Sequence, residues 1–384
     1  MEELFEQERQ ARLQLDTAAM IQILDKMMQL CITDSDLLTL TKMIGKRKGQ
    51  LPDAFKYMIN RVVDAKLDSI NIKQTNIEPE LDFLNSLLKD VVEGKMYLEE
   101  ERVRISEQLK SIYERIGDDN KALRVVFDVP VETFTSISEK HIVEFQLEQL
   151  RLAIKVEEWI KGDIIGKRIR RRYFKENDDK ENEYKYNSYL AMVCIGQGHW
   201  REASDVMMVM GGSQDIILGS FFGMLGYSKG EDDAYLKNFL NHKNNISSMR
   251  SILKLFLSQE IIPRNISIDT IVTRYLNFEK YKKEWIESID QHNFGVVSKF
   301  FKSLNFQELA DIMQCDISDV IDKTCSMVWK GWKCKIDHKN EIIRFSHEES
   351  DEWMDKINVV LDKIMKANHL IHKENLKAKL SNKQ

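Results

Sequence analysis

Residues 289–347 read IDQHNFGVVSKFFKSLNFQELADIMQCDISDVIDKTCSMVWKGWKCKIDHKNEIIRFSH, and the fold turns on them. Phe294, Val297, Phe301 and Leu304 stand three, four and three apart, which predicts one face of a helix. Asn305, with Glu308 three residues on, has the pattern of a capping box. It opens a short helix whose inner face is Phe306, Leu309, Ala310 and Met313. Asp316 is placed to cap a third helix, with Ile317, Val320, Ile321, Cys325 and Val328 inward. After Gly331 the pattern changes from helical to alternating. Trp332, Cys334 and Ile336 alternate with Lys333 and Lys335, residues DHKN make a turn, and Ile343 and Phe345 alternate with Ile342 and Arg344 on the return. Three helices followed by a two-stranded hairpin predict a winged helix, and no other stretch of the chain predicts strands.

Outward from it, the residues that break helices are scarce: 16 Gly and 4 Pro in 384 residues. All four prolines, Pro52, Pro79, Pro130 and Pro263, sit at breaks in the apolar period. From the N-terminus to about Lys282 one helical segment follows another. Pro52 and Pro79 open helices, Gly117–Asp118 ends one, Ser136 with Glu139 suggests a second capping box, and a helix is expected over Trp159 to Phe174. The segments GDDNKA (117–122) and GHWREA (198–203) both set a turn glycine before a helix with a small alanine near its start. That is the device of tetratricopeptide-like repeats. The expected fold is therefore all-α: a solenoid of TPR-like helical repeats over 1–190, the helical part of a second module over 191–288, the winged helix over 289–347 and a long C-terminal helix over 348–384. In that last helix Trp353, Ile357, Val360, Ile364, Ala367 and Ile371 form a heptad seam, which needs a partner helix.

Charged residues make up 31% and the net charge is −5, so no global pull toward nucleic acid or anionic membrane is expected. The five cysteines form no CxxC pair, and MEELFEQERQ has no secretory character, which together suggest a reduced, intracellular protein. The weakly charged run Val206–Tyr227 is interrupted by GGSQD and reads as a buried central helix. No phosphate loop, HExxH or GxSxG is present. His369 and His372 lack a third ligand, and Cys194, Cys315, Cys325 and Cys334 read as core thiols. No catalytic residue, metal or cofactor is thus expected. The basic run Lys167–Arg172 precedes an acidic stretch, Glu176 to Glu183, and suggests a solvated helix end near a partner. Within 289–347 eight basic residues meet eight acidic ones, and the would-be recognition helix opens with Asp316, Asp319 and Asp322, which opposes DNA binding.

The blocks EGKMYLEEERVRISEQL (93–109), GDDNKAL (117–123), VET (131–133) and VEFQLEQLRLAI (143–154), with NHLIHKE (368–374), resemble a proteasome lid subunit of the PCI family. That family supplies scaffolds to the proteasome lid, the signalosome and initiation factor three, and the 93–154 block favours the lid. The resemblance implies a non-catalytic scaffold in ubiquitin-dependent protein degradation, in cytoplasm and nucleus. Implied partners are other lid PCI subunits, the lid zinc deubiquitinase and the ATPase ring, with no nucleic acid and no membrane. The deubiquitinase's HxH-x7-S-x2-D pattern is absent from this chain. Ile342 and Arg344 on the wing edge, and Trp353, Ile357, Val360, Ile364 and Ile371 on the tail, are the expected interface residues.

Overall fold

A computed structural model describes residues 2–72, 77–227, 233–266, 268–345, 356–357, 359–371 and 373. The chain divides into two compact units, Met1–Met210 and Gly211–Gln384. The boundaries expected at 190 and 288 fall inside the helices Lys180–Gln197 and Lys282–Phe300.

Among the described residues the first unit is built of helices alone, the α-helices being Glu2–Leu13, Thr17–Gln29, Asp34–Gly45, Pro52–Ile72, Glu78–Leu87, Glu99–Ile116, Asp119–Phe127, Glu139–Lys155, Trp159–Arg168, Arg171–Asn177, Lys180–Gln197 and Trp200–Met210. Each packs chiefly on helices one or two places away in sequence. One apolar core nevertheless runs unbroken from Ala11 to Ala203. Local packing around a shared core is the construction of a helical-repeat solenoid. The two repeat turns work as their sequences suggest. Gly117 (φ 87°) and Gly198 (φ 76°) adopt the left-handed conformation that ends a helix. Ala122 and Ala203, just beyond them, are fully buried.

Two helices cross closely at Gly196, which lies under the indole of Trp159 with no room for a β-carbon. Gly196→Ala would gain roughly 1 kcal/mol of helix propensity but overpack the crossing by about 1–3 kcal/mol. A net loss of stability, seen as a lower urea midpoint, is expected; an unchanged midpoint would show that the indole moves freely.

Two expectations fail here. Ser136 does not cap a helix; Ser138 does, accepting from the His141 amide at 3.4 Å. Ser136 is drawn away by the buried carboxylate of Glu99, which accepts from Thr135 N (3.0 Å), Ser136 N (3.3 Å) and Ser136 Oγ (3.0 Å). The helix expected over Trp159 to Phe174 is two, because Ile169 turns extended and buries its side chain between them.

In the second unit, every residue from Asp215 to Leu225 is buried in the helix Ser213–Leu225, so the Val206–Tyr227 run breaks at Gly211 and Gly212 and its second half forms a central helix. Among the described residues no helix is long and apolar enough to cross a membrane. Around it pack Asp233–Asn241, Ser247–Leu257 and Lys282–Phe300. Phe221, Phe256 and Trp285 meet in an aromatic cluster, with ring centres 5.5–5.8 Å apart.

Three helices and a three-stranded antiparallel sheet stand where the winged helix is expected. The helices are Lys282–Phe300, Phe306–Met313 and Ile317–Trp329; the strands are β1 (Ser303–Asn305), β2 (Cys334–Asp337) and β3 (Ile342–Phe345), in the order β1-β3-β2. The capping box at Asn305 and Glu308 forms. The first helix stops at Phe300, and Leu304, expected on its face, is instead the buried residue of β1, paired with Ile343. In the third helix the inward residues are Val320, Thr324 and Met327, while Ile317, Cys325 and Val328 are exposed. The sequence phase was off because Thr324 is polar: its hydroxyl is satisfied by Val320 O at 2.7 Å, which lets it go inside.

Candidate protein-interaction site

The wing presents an edge, though not the one expected. Strand β3 lies between β1 and β2, so Ile342 (opposite Asn305 and Asp337) and Arg344 (opposite Ser303 and Lys335) sit in the middle of the sheet. Phe345 N donates to Lys302 O and Phe306 N to Glu341 O, both across the β1 side. By strand alternation the backbone groups of Ile342 and Arg344 turn toward β2, and those of Cys334 and Ile336 turn outward. Cys334 N is occupied by Trp332 O. The outer edge of β1 is closed at Asn305, whose amide donates to Glu308 Oε2 at 3.0 Å. Among the described residues, β2 is the longer open edge, with the Ile336 amide as its donor. Arg344 keeps an exposed guanidinium 3.7 Å from Asp337. Asp337 in turn caps the hairpin through Asn340 Nδ2 (2.8 Å), and the side-chain and backbone hydrogen bonds from Asn340 hold its carboxyl below the usual range.

Residues 356–357, 359–371 and 373 are helical. Ile357, Val360, Ile364 and Ile371 are 48%, 53%, 57% and 60% exposed. Trp353 lies outside the described residues. Leu361 and Met365 widen the expected seam into a broad stripe, and Val359 and Leu370, three turns apart, add apolar surface on the opposite side. A helix apolar on two sides is suited to the interior of a bundle rather than to a single groove. Near the wing Trp329 is 91% exposed, an apolar feature that sequence periodicity missed because it follows the last inward residue of its helix.

The wing is tied to the rest of its unit by buried charge. Asp290, its side chain 2% exposed, accepts from Arg264 Nε and Nη2 (3.0 and 2.6 Å) on one oxygen and faces Lys323 Nζ at 3.0 Å on the other. Arg264 also donates to Gln314 O (3.1 Å), in the turn between the second and third helices. Asn293, one turn on, exchanges two 2.8 Å hydrogen bonds with the backbone of Ile262. The polar run DQHN inside an apolar-period helix was the sequence signal for this anchor. Lys323 is consequently spent internally, which takes one cation from the third helix and strengthens the case against a phosphate-binding face.

Cys194 is buried, and burial pushes its thiol up to about 11. Cys315 and Cys334 are half-buried, while Cys325, expected in the core, is exposed. Burial and then the neighbouring Cys325 raise Cys334. Among the described residues no group of three His, Cys, Asp or Glu is placed to hold a metal; His372 lies outside them. In the basic run Lys167 pairs with Asp163 (2.6 Å), Arg168 with Glu132 (3.4 Å), Arg170 with Glu139 (3.7 Å) and Arg172 with Glu176 (2.6 Å). Of these four partners Glu132 and Glu139 come from other segments, Asp163 from the helix that carries Lys167, and Glu176 from the acidic stretch that follows.

Comparison with known proteins fits this architecture. Residues 1–207 match the family model described as PSMD12/CSN4, N-terminal. The 26S proteasome regulatory subunit rpn501 of Schizosaccharomyces pombe is 25% identical, over 98% of this chain and 91% of its own length. The 26S proteasome non-ATPase regulatory subunit 12 of Dictyostelium discoideum is 21% identical, over 97% and 89%. The 26S proteasome regulatory subunit RPN5 of Saccharomyces cerevisiae is 22% identical, over 98% and 91%. With the matched model spanning more than half of its length, the chain belongs to the PSMD12/CSN4 family.

Proposed function

We propose that the chain is a non-catalytic scaffold subunit of the proteasome regulatory particle lid, acting in ubiquitin-dependent protein degradation. The observation that carries this reading is similarity along almost the whole chain to proteins named as 26S proteasome regulatory subunits. The open β2 edge and the exposed apolar tail helix support it, since both need other protein chains to be satisfied. The partners in this reading are other PCI subunits of the lid, its zinc deubiquitinase and the ATPase ring, in cytoplasm and nucleus. Affinity purification of the tagged chain followed by mass spectrometry tests it. Lid subunits are the expected partners; signalosome or initiation-factor-three subunits in their place would refute the lid assignment.

The wing contributes by β-augmentation through β2. Ile336→Pro removes the outward donor without touching the ladder to β3. The variant is expected to keep its circular dichroism spectrum and to enter the lid several-fold less efficiently. Ile342→Pro would instead break the internal ladder and lower stability. Full incorporation of a folded Ile336→Pro chain would exclude β2 as a contact.

A further inference from the structure

The outer face of the wing sheet carries charges that the chain does not balance by itself. Ile343 and Phe345 bury one face of β3, so the alternate residues Ile342 and Arg344 share the other. On β2, Asp337 and Lys335 stand opposite Ile342 and Arg344. Lys335 and Arg344 are thus two exposed cations in directly opposed positions of the ladder. Like charges so placed destabilise a sheet. On its other side Arg344 faces Ser303 of β1, which brings no charge. Asp337 is the only carboxylate on the three strands, and it is already divided between Arg344 at 3.7 Å and the side-chain amide of Asn340 at 2.8 Å. Among the described residues no carboxylate pairs with Lys335.

This pair sits at the margin of the sheet. β2 has β3 on one side and no strand on the other. Lys335 turns its backbone toward β3, while the backbone of Ile336 points outward. A strand laid along β2 bonds to Ile336 and sets one of its own side chains beside Lys335, on the same face. The surrounding hairpin is basic, with Lys333, Lys335, Lys339 and Arg344 against Asp337 and Glu341.

We propose that the strand received by β2 comes from another protein and carries an Asp or Glu beside Lys335, where its carboxylate offsets the Lys335–Arg344 repulsion. This rests on β2 being a docking edge and names the chemistry of what docks there. A neutral or basic strand can bond to the same edge but leaves the two cations opposed, so the pair selects among strands as well as attracting one. A second copy joined β2 to β2 would bring its own Lys335 and add cations where a carboxylate is called for.

Affinity purification of the tagged full chain tests it, read as recovery of the subunits that the parent captures. Lys335→Glu places a carboxylate opposite Arg344. It is expected to melt no lower than the parent, yet to recover those subunits about tenfold less, because an attractive cross-strand pair becomes a repulsive one. Lys339→Glu makes the same change of charge in the hairpin turn, outside the strands, and should recover them as the parent does. Lys335→Gln removes the charge and introduces none; it should fall between the two, and it carries the test if Lys335→Glu does not fold. Parental recovery with Lys335→Glu would overturn the proposal and leave the lysine only the role of deterring unwanted pairing. An equal loss with Lys339→Glu would overturn it too, since net charge alone would then matter. Ile336→Pro separates this from the docking reading beneath it. Loss of the subunits with Ile336→Pro but not with Lys335→Glu would mean a docking edge whose occupant is not acidic; retention with both would mean that β2 is no docking edge.

Discussion

A chain cut after Ser350 is expected to keep its helical circular dichroism and its melting transition, and to be absent from the purified lid. The apolar stripe of the tail helix is half or more exposed, so removing it uncovers little core. Burying the exposed half of each large side chain in a bundle is worth roughly 1 kcal/mol. Replacing Ile357, Val360, Ile364 and Ile371 together by Ser should therefore cost about 4 kcal/mol of assembly energy, close to three powers of ten in affinity. The quadruple variant separates side-chain packing from chain length. Either variant entering the lid at full occupancy would mean that the seam packs on its own chain or on nothing.

The second large effect is on stability. Asp290→Ala leaves Arg264 and Lys323 side by side without their shared carboxylate, a loss of about 3 kcal/mol given that both cations retain some access to water. Urea unfolding should show an earlier transition for the second unit. Replacing Asp290, Arg264 and Lys323 all by apolar residues of similar size should be milder than Asp290→Ala alone, because the cost lies in stranded charge. If the single variant is as stable as the parent, the triad contributes nothing net.

Much of the fold was legible because it depends on local signals. Proline and glycine marked most of the breaks, apolar spacing gave most helix faces, and the capping box at Asn305 was visible in two residues. What escaped depends on residues far apart in sequence. Ser136 looked like a cap until Glu99, 37 positions earlier, claimed it. Strand β1 was hidden because three residues beside a helix carry too little alternation, and only pairing with β3 makes them a strand. For the candidate site, the tail seam could be read directly as a period without a partner. The wing edge could not, since which strand lies outermost is a property of topology.

The strand order β1-β3-β2 also bears on synthesis. Chains emerge from the ribosome N-terminus first, and β3, the strand both others pair with, is made last. Until Phe345 has emerged, β1 and β2 have no ladder, and the edge offered to a neighbour does not exist. The docking proposed for the wing is in this way confined to chains in which Phe345 has already emerged.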